Sequence, residues 1–427
     1  MHSRSPPPVA VRVIRQSQKR NMNLRLKDTL PSDLSRCAEI KKLKGKATGA
    51  AELALCLPLL KQYFRANGCP EKLARKLLRA VYLHEDPAVA RLAFQALAFA
   101  IRCGSSEECS AGARCTWRSF LHRRAPPAEE SAPKAPLELF KDFWEGLTAC
   151  GVPLEEDGAR GLQLPPGGQD DEQSVVDLTV SPVKTSEDEE QLERLALLLH
   201  VLAAYCETQK PVELTKIQKI LLSLLVLYAD NREELYHSAL NEAVRAVMEV
   251  LPEEGWRPAR EYVASRLSCV MTSPLVIVRT LRHIPASSSR GYELQREAAY
   301  RAAFVVLQVS LPSKSSGVET RELLCALEPL KNRLTKRARS LTGNTGNDDS
   351  EPDFWAIASS LRLADMVLWE SAVSSERENL EHWKNVLKTL QRNTHAYSRE
   401  EGESQLQLLL AELISYYAFL DERKIRL

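Results

Sequence analysis

Apolar positions along the chain recur mostly at intervals of three and four, the period of a helix that buries one face. Between 70 and 102, Leu73, Leu77 and Val81 make one such face, and Val89, Leu92, Ala93, Ala96, Leu97 and Ala100 make the next. Asp86 followed by Pro87 separates them: aspartate can accept orphan amides at a helix start, and proline in the first helical position forfeits no intrahelical hydrogen bond. The pair reads as one helical-repeat unit. Beyond it, the same period predicts helices over 190–208, 214–230, 233–251, 258–271, 274–282, 292–309, 319–341, 353–373, 377–393 and 398–421. Residues 313–317 and 342–351, rich in turn formers, read as surface loops.

No fixed repeat length links these helices, so no named repeat is assigned. The expected fold is all-α: an irregular α-solenoid, a helical-repeat-like array interrupted by a disordered acidic linker. Four regions follow: a basic, largely disordered arm over 1–49, an N-terminal helical block over 50–125, a Pro-rich acidic linker over 126–189, and a C-terminal helical domain over 190–427. Within the linker, 137–149 keeps helical spacing through Leu139, Phe140, Phe143, Trp144 and Leu147, which predicts one short docking helix.

Composition narrows the class. With 427 residues, 44% hydrophobic, 6% aromatic and 17 glycines, the chain can bury a large core and favours helix formers, which excludes collagen-like and sandwich folds. The longest apolar runs, 195–204 and 220–229, fall well short of the roughly 20 residues that cross a bilayer, so no membrane association is expected. The N-terminus (Arg4, Pro6, Pro7, Pro8) has no apolar stretch behind it and does not read as a secretory leader; the expected location is nuclear and also cytoplasmic. Ten cysteines in this length are no disulfide framework, and Cys56, Cys206, Cys269 and Cys325, in apolar helical surroundings, are expected to be buried thiols.

The net charge of +2 conceals a strong segregation. Residues 1–50 carry twelve Lys and Arg against Asp28, Asp33 and Glu39, whereas 155–190 carry eleven acids against Arg160 and Lys184. Amid those acids stands a β-prone apolar cluster, Val175-Val176-Asp177-Leu178-Thr179, then Val180, Ser181-Pro182 and the acidic run Ser186-Glu187-Asp188-Glu189-Glu190. An apolar cluster in a solvated acidic stretch gains nothing from exposure. It can add as a strand to the edge of another protein's sheet, with apolar side chains in a groove and flanking acids steering association. The other reading of 174–180 is a strand or docking segment of the chain's own fold.

The cluster resembles a SUMO-interacting motif. By that resemblance Val175, Val176 and Leu178 fill the groove, Thr179 extends the core, and Asp177 with Glu187, Asp188, Glu189 and Glu190 supplies the charge contacts. Ser181, before a proline, and Ser186, before four acids, are candidate phosphosites that would add negative charge to the contact. Lys41, Lys42, Lys44 and Lys46 form a candidate nuclear-import signal or a contact to DNA, the alternative being a solvated helix face. A second basic cluster, Lys331, Arg333, Lys336, Arg337 and Arg339, reads as a solvated helix face.

Chemistry beyond binding is not indicated. Cys103, Cys109, Cys115 and His122 are spaced too widely for a structural zinc site, and no phosphate loop, metalloprotease motif or nucleophile elbow is present, so a non-enzyme without cofactor or metal is expected. His84, His200, His237, His283, His382 and His395 read as structural or surface residues. Of the C-terminal aromatics Trp355, Trp369, Trp383, Tyr397, Tyr416, Tyr417 and Phe419, most should be core; Tyr416, Tyr417 and Phe419 cannot share one helix face, so one should be exposed.

Taken together, the motif, the large irregular helical block and the basic tail resemble the family of SUMO-interacting motifs-containing proteins, also known as platform elements for inhibition of autolytic degradation. The C-terminal domain of that family is similar to the fifth non-SMC element of the SMC repair complex. The resemblance implies a non-catalytic scaffold whose helical domain pairs with a second helical subunit, the SMC complex localisation factor, and directs the SMC complex to SUMO-marked sites in DNA repair. The family name also implies regulation of a calpain, which is the first alternative. A nucleic-acid-binding helical protein is the second, with DNA contacted weakly or indirectly. The chain departs from the family by carrying one motif between helical blocks rather than several in a long N-terminal tail.

Overall fold

A computed structural model of the chain describes residues 49–105, 139–152, 186–208, 214–230, 232–271, 273–311, 318–340, 353–373, 377–394 and 401–425. Among them the fold is all-helical, fourteen α-helices packed against one another in the manner of a helical repeat array. None is long and apolar enough to cross a membrane. The chain divides into two compact units, the division falling between Ala259 and Arg260.

The first unit contains α1 (Gly49–Asn67), α2 (Glu71–Leu83), α3 (Pro87–Ser105), α4 (Phe140–Ala149), α5 (Ser186–Thr208), α6 (Leu214–Leu227) and α7 (His237–Glu249), and the start of α8 (Glu253–Val270). Helix α3 is gripped by α1 and α2 and packs on α5; α5 packs on α7, and α7 on α6. The start of α3 follows from its sequence: the Asp86 carboxylate accepts the Ala88 amide at 2.8 Å, with Pro87 in the first helical position. Gly68 closes α1 at φ 74°, the left-handed region that glycine enters without strain. The core of this unit includes Leu73, Leu77 and Val81 from α2, Val89, Ala93 and Leu97 from α3, and the almost wholly apolar run 220–227 of α6 with Tyr228 and Ala229 just after it.

The second unit contains the rest of α8, then α9 (Pro274–His283), α10 (Ser289–Leu307), α11 (Thr320–Ser340), α12 (Phe354–Val373), α13 (Arg377–Asn393) and α14 (Glu401–Ile425). Helix α12 is central here, packing on α9, α10, α11, α13 and α14, while α13 bridges α11 and α14. Buried Leu361, Ala364, Val367 and Leu368 of α12 face this centre, together with Trp383 of α13 and Leu406, Leu410 and Tyr417 of α14.

Three expectations are revised. The helix expected over 233–251 is broken: a 3-10 turn at Glu233–Leu235 precedes α7, which starts at His237. The break has a cause, because the fully buried Asp230 accepts the Arg232 amide at 2.9 Å and Tyr236 donates its hydroxyl to the Leu227 carbonyl at 3.2 Å, turning the chain. The helix expected from 258 begins at Glu253, with Pro258 inside it. Acids Glu253 and Glu254 suit the positive end of the helix, and the Pro252 carbonyl accepts the Gly255 and Trp256 amides, so the start lies ahead of the proline. Of the four thiols expected to be buried, Cys56 and Cys206 are, whereas Cys269 and Cys325 are exposed, lying on the outward faces of α8 and α11.

Candidate interaction site around α4 and α5

The sequence places the strongest candidate chemistry between α4 and α5, and both helices are anchored firmly. Helix α4 is the short segment 140–149, and its end is a Schellman turn: Val152 donates its amide to the Leu147 carbonyl and Gly151 to the Thr148 carbonyl, both at 2.9 Å, with Gly151 at φ 81°. The apolar stripe Leu139, Phe143 and Leu147 is wholly buried against α2 and α5, with Cys150 and Val152 beside it. Burying side chains of this size stabilises by about 1.5–3 kcal/mol each, enough to hold a segment too short to persist as a helix alone. Tyr205 of α5 contacts this segment, 5.3 Å from the Phe143 ring and 5.4 Å from the Phe140 ring, and its hydroxyl accepts the Leu139 amide at 3.4 Å.

Two features make the fit specific. A Cβ on Gly146 would stand 3.0 Å from the Tyr82 ring and 3.1 Å from Leu198, so any larger residue there would force those side chains to give. Asp142 is buried on the same face, 3.5 Å from Arg75 Nε and 3.6 Å from an Arg79 amino group, and its Oδ2 accepts no hydrogen bond. Burial raises its carboxyl pKa, the two guanidiniums partly opposing that shift.

The first residues of α5 are the acidic run. Ser186 opens the helix, so the region expected to be linker up to 189 ends in a helical turn. The signal was present: Ser186 and Glu189 stand in the S/T-x-x-D/E spacing that precedes an apolar run at helix starts, and acids there are favoured by the helix dipole. Of the acids expected as charge contacts, Glu189 is exposed, while Glu190 accepts from Arg194 at 2.6 Å. Arg194 also donates to the Glu85 carbonyl at 3.1 Å, and Glu193 pairs with Arg91 at 2.8 Å, which staples the start of α5 to the α2–α3 connection and α3. Gln191 Nε2 donates to the Cys150 carbonyl at 2.8 Å. The end of α4 and the start of α5 are therefore fastened together, and the stretch between them leaves and returns at one place.

Val175, Val176, Asp177, Leu178, Thr179 and Ser181 lie outside the described residues, as do Lys41, Lys42, Lys44 and Lys46, Cys109, Cys115 and His122. Among the described residues no cluster of His, Cys, Asp and Glu could hold a metal ion. Burial pushes the Cys150, Cys206 and Cys69 thiols up to about 12, opposite to the shift that activates a nucleophile. His200 bonds Glu242 and His382 bonds Glu328, at 2.8 and 2.9 Å.

At the C-terminal helix the aromatic trio divides as its spacing requires. Tyr417 is buried, Phe419 is exposed, and Tyr416 stands between them, stacked on the half-exposed Trp369 with ring centroids 5.3 Å apart. Sequence reasoning missed the Tyr417 hydroxyl's partner: it donates to Asp365 of α12 at 2.7 Å. Asp365 reads as an isolated acid in an apolar helix, and only the packing of α12 on α14 reveals the bond.

No family model matches the chain, and no curated protein matches it.

Proposed function

We propose that the chain is a non-enzymatic SUMO-binding adaptor, in which a helical array carries one SUMO-interacting motif on the stretch between α4 and α5. The observation that carries the reading is Val175-Val176-Asp177-Leu178-Thr179 with its acids, on a stretch whose ends are fastened by the Cys150–Gln191 hydrogen bond. Six residues, 180–185, separate the motif from α5, and a fully extended chain of that length reaches about 20 Å. A bound SUMO would thus sit beside the start of α5, where Glu189 is exposed to meet basic residues on its surface. The helical array would take the second helical subunit, the SMC complex localisation factor, and through it bring an SMC complex to SUMO-marked nuclear sites.

Calorimetric titration of SUMO into the full chain tests the reading. Changing Val176 and Leu178 together to Ala should weaken affinity at least tenfold, by about 1.4 kcal/mol or more. Unchanged affinity overturns it. Phosphorylation of Ser186 should strengthen binding and suits the helix start, where negative charge is favoured.

A further inference from the structure

We propose that the groove between α2 and α5 is a self-association site, which takes α4 from a second copy of this chain in exchange for its own. The seated helix defines the occupant. The groove accepts an apolar side chain at the positions of Leu139, Phe143 and Leu147, leaves little room beyond a glycine at 146, and holds a carboxylate at 142 against Arg75 and Arg79. Every copy carries a helix of that description.

The connections permit the exchange. Helix α4 is joined to α3 by residues 106–138 and to α5 by residues 153–185, and a chain of either length reaches about 100 Å at full extension, farther than the exchange needs. Reciprocal exchange of an identical element preserves every contact: Leu139, Phe143 and Leu147 meet the same walls, and Cys150 meets the other copy's Gln191. The hold is also a reversible one. Oδ2 of Asp142 accepts no hydrogen bond, and Arg75 and Arg79 are 40% and 44% exposed, so water can replace them. Docking within one chain enjoys the millimolar effective concentration of its tether, so the exchanged form becomes dominant when docking in cis is blocked. The inference uses no side chain of the SUMO motif, although the motif lies on the 153–185 connection, and its test reads mass and α4 protection rather than SUMO affinity.

Charge reversal isolates the exchange. A chain with Asp142→Arg sets a cation against Arg75 and Arg79 and should release its own α4; a chain with Arg75→Glu and Arg79→Glu sets two acids against Asp142 and should do the same. Each alone should sediment as a 47.9 kDa monomer with α4 open to protease. Mixed, each should accept the other's helix, and sedimentation should show a reciprocal heterodimer of twice that mass with α4 protected again. All three changes in a single chain should restore protection in a monomer, which shows that the variants fold. If the triple variant is protected while the mixture stays monomeric, the exchange is overturned. It is equally overturned if either partner dimerises alone, or if the triple variant leaves α4 unprotected.

Discussion

Two desolvated carboxylates of this molecule, the buried Asp142 and the half-buried Asp365, are held on opposite terms. Asp142 rides on a ten-residue helix and faces two arginines across a seam that water can enter from the arginine side. Asp365 sits in the middle of a twenty-residue helix and accepts a 2.7 Å hydrogen bond from the buried Tyr417. Burial raises both carboxyl pKa values. Their consequences differ because of what surrounds them: the Asp365 bond joins α12 to α14 within the centre of its unit, whereas the Asp142 seam fixes only α4. A desolvated acid can therefore be part of a core or part of a latch, and the length of the element that carries it decides which.

The largest effects should come from the apolar anchors, and they should differ in reach. Leu410→Ala, at a fully buried position of α14, removes a side chain from the centre of the second unit and should cost about 2–5 kcal/mol, read as a fall in the midpoint of urea unfolding. Phe143→Ala should carry a transfer and cavity cost of about 3–5 kcal/mol, but α4 can leave instead of the unit unfolding. Hydrogen exchange should then show α4 amides unprotected and α2, α3 and α5 nearly unchanged. If α5 loses protection together with α4, the latch description fails.

Next in size is the Tyr417–Asp365 bond. Tyr417→Phe leaves a half-buried carboxylate without its donor and should destabilise by about 1–3 kcal/mol at pH 7. Asp365→Asn keeps an acceptor and removes the half-buried charge, so it should be the milder change. Its signature is in the pH dependence. Because the folded-state pKa of Asp365 lies above the ordinary 3.8, the folded chain binds more protons than the unfolded chain between that value and the raised one, and its contribution to stability falls as pH rises through that window. Asp365→Asn should abolish this component, flattening the difference in unfolding free energy between pH 4 and pH 7. An unchanged slope would show that Asp365 is not its source.

Much of this architecture can be read from one sequence, for local reasons. The period of three and four located α9, α12 and α13 within a residue or two, and Asp86-Pro87 placed the start of α3, since each signal is contained within a few turns. The α4 stripe was legible in the same way. Failures arose where a distant residue decides: Tyr236 reaching back to Leu227 breaks a continuous helical period, and exposed Cys269 and Cys325 lie on outward faces that only neighbouring helices define. Asp142 is instructive because it lies three residues after Leu139, on the face the stripe buries. Its position was readable, yet the arginines that make its burial tolerable come from another helix.

The smallest expected effect concerns that same residue. Asp142→Asn preserves shape, removes two ion pairs to arginines that are nearly half exposed, and removes the desolvation of a buried charge. Pairs with exposed partners are worth about 0–1 kcal/mol, and the desolvation term has the opposite sign, so the net change in α4 docking should be within about 1 kcal/mol. The pH response should nevertheless disappear. With its pKa raised on docking above the ordinary 3.8, Asp142 favours the docked helix increasingly as pH falls through the raised value, so α4 protection, corrected for intrinsic exchange rates, should be greater near pH 4 than at pH 7 in the native chain, and Asp142→Asn should remove that component. A loss on the scale of Phe143→Ala would make the carboxylate, rather than the apolar stripe, the anchor of α4, and the distinction between latch and core would then rest on charge instead of on length.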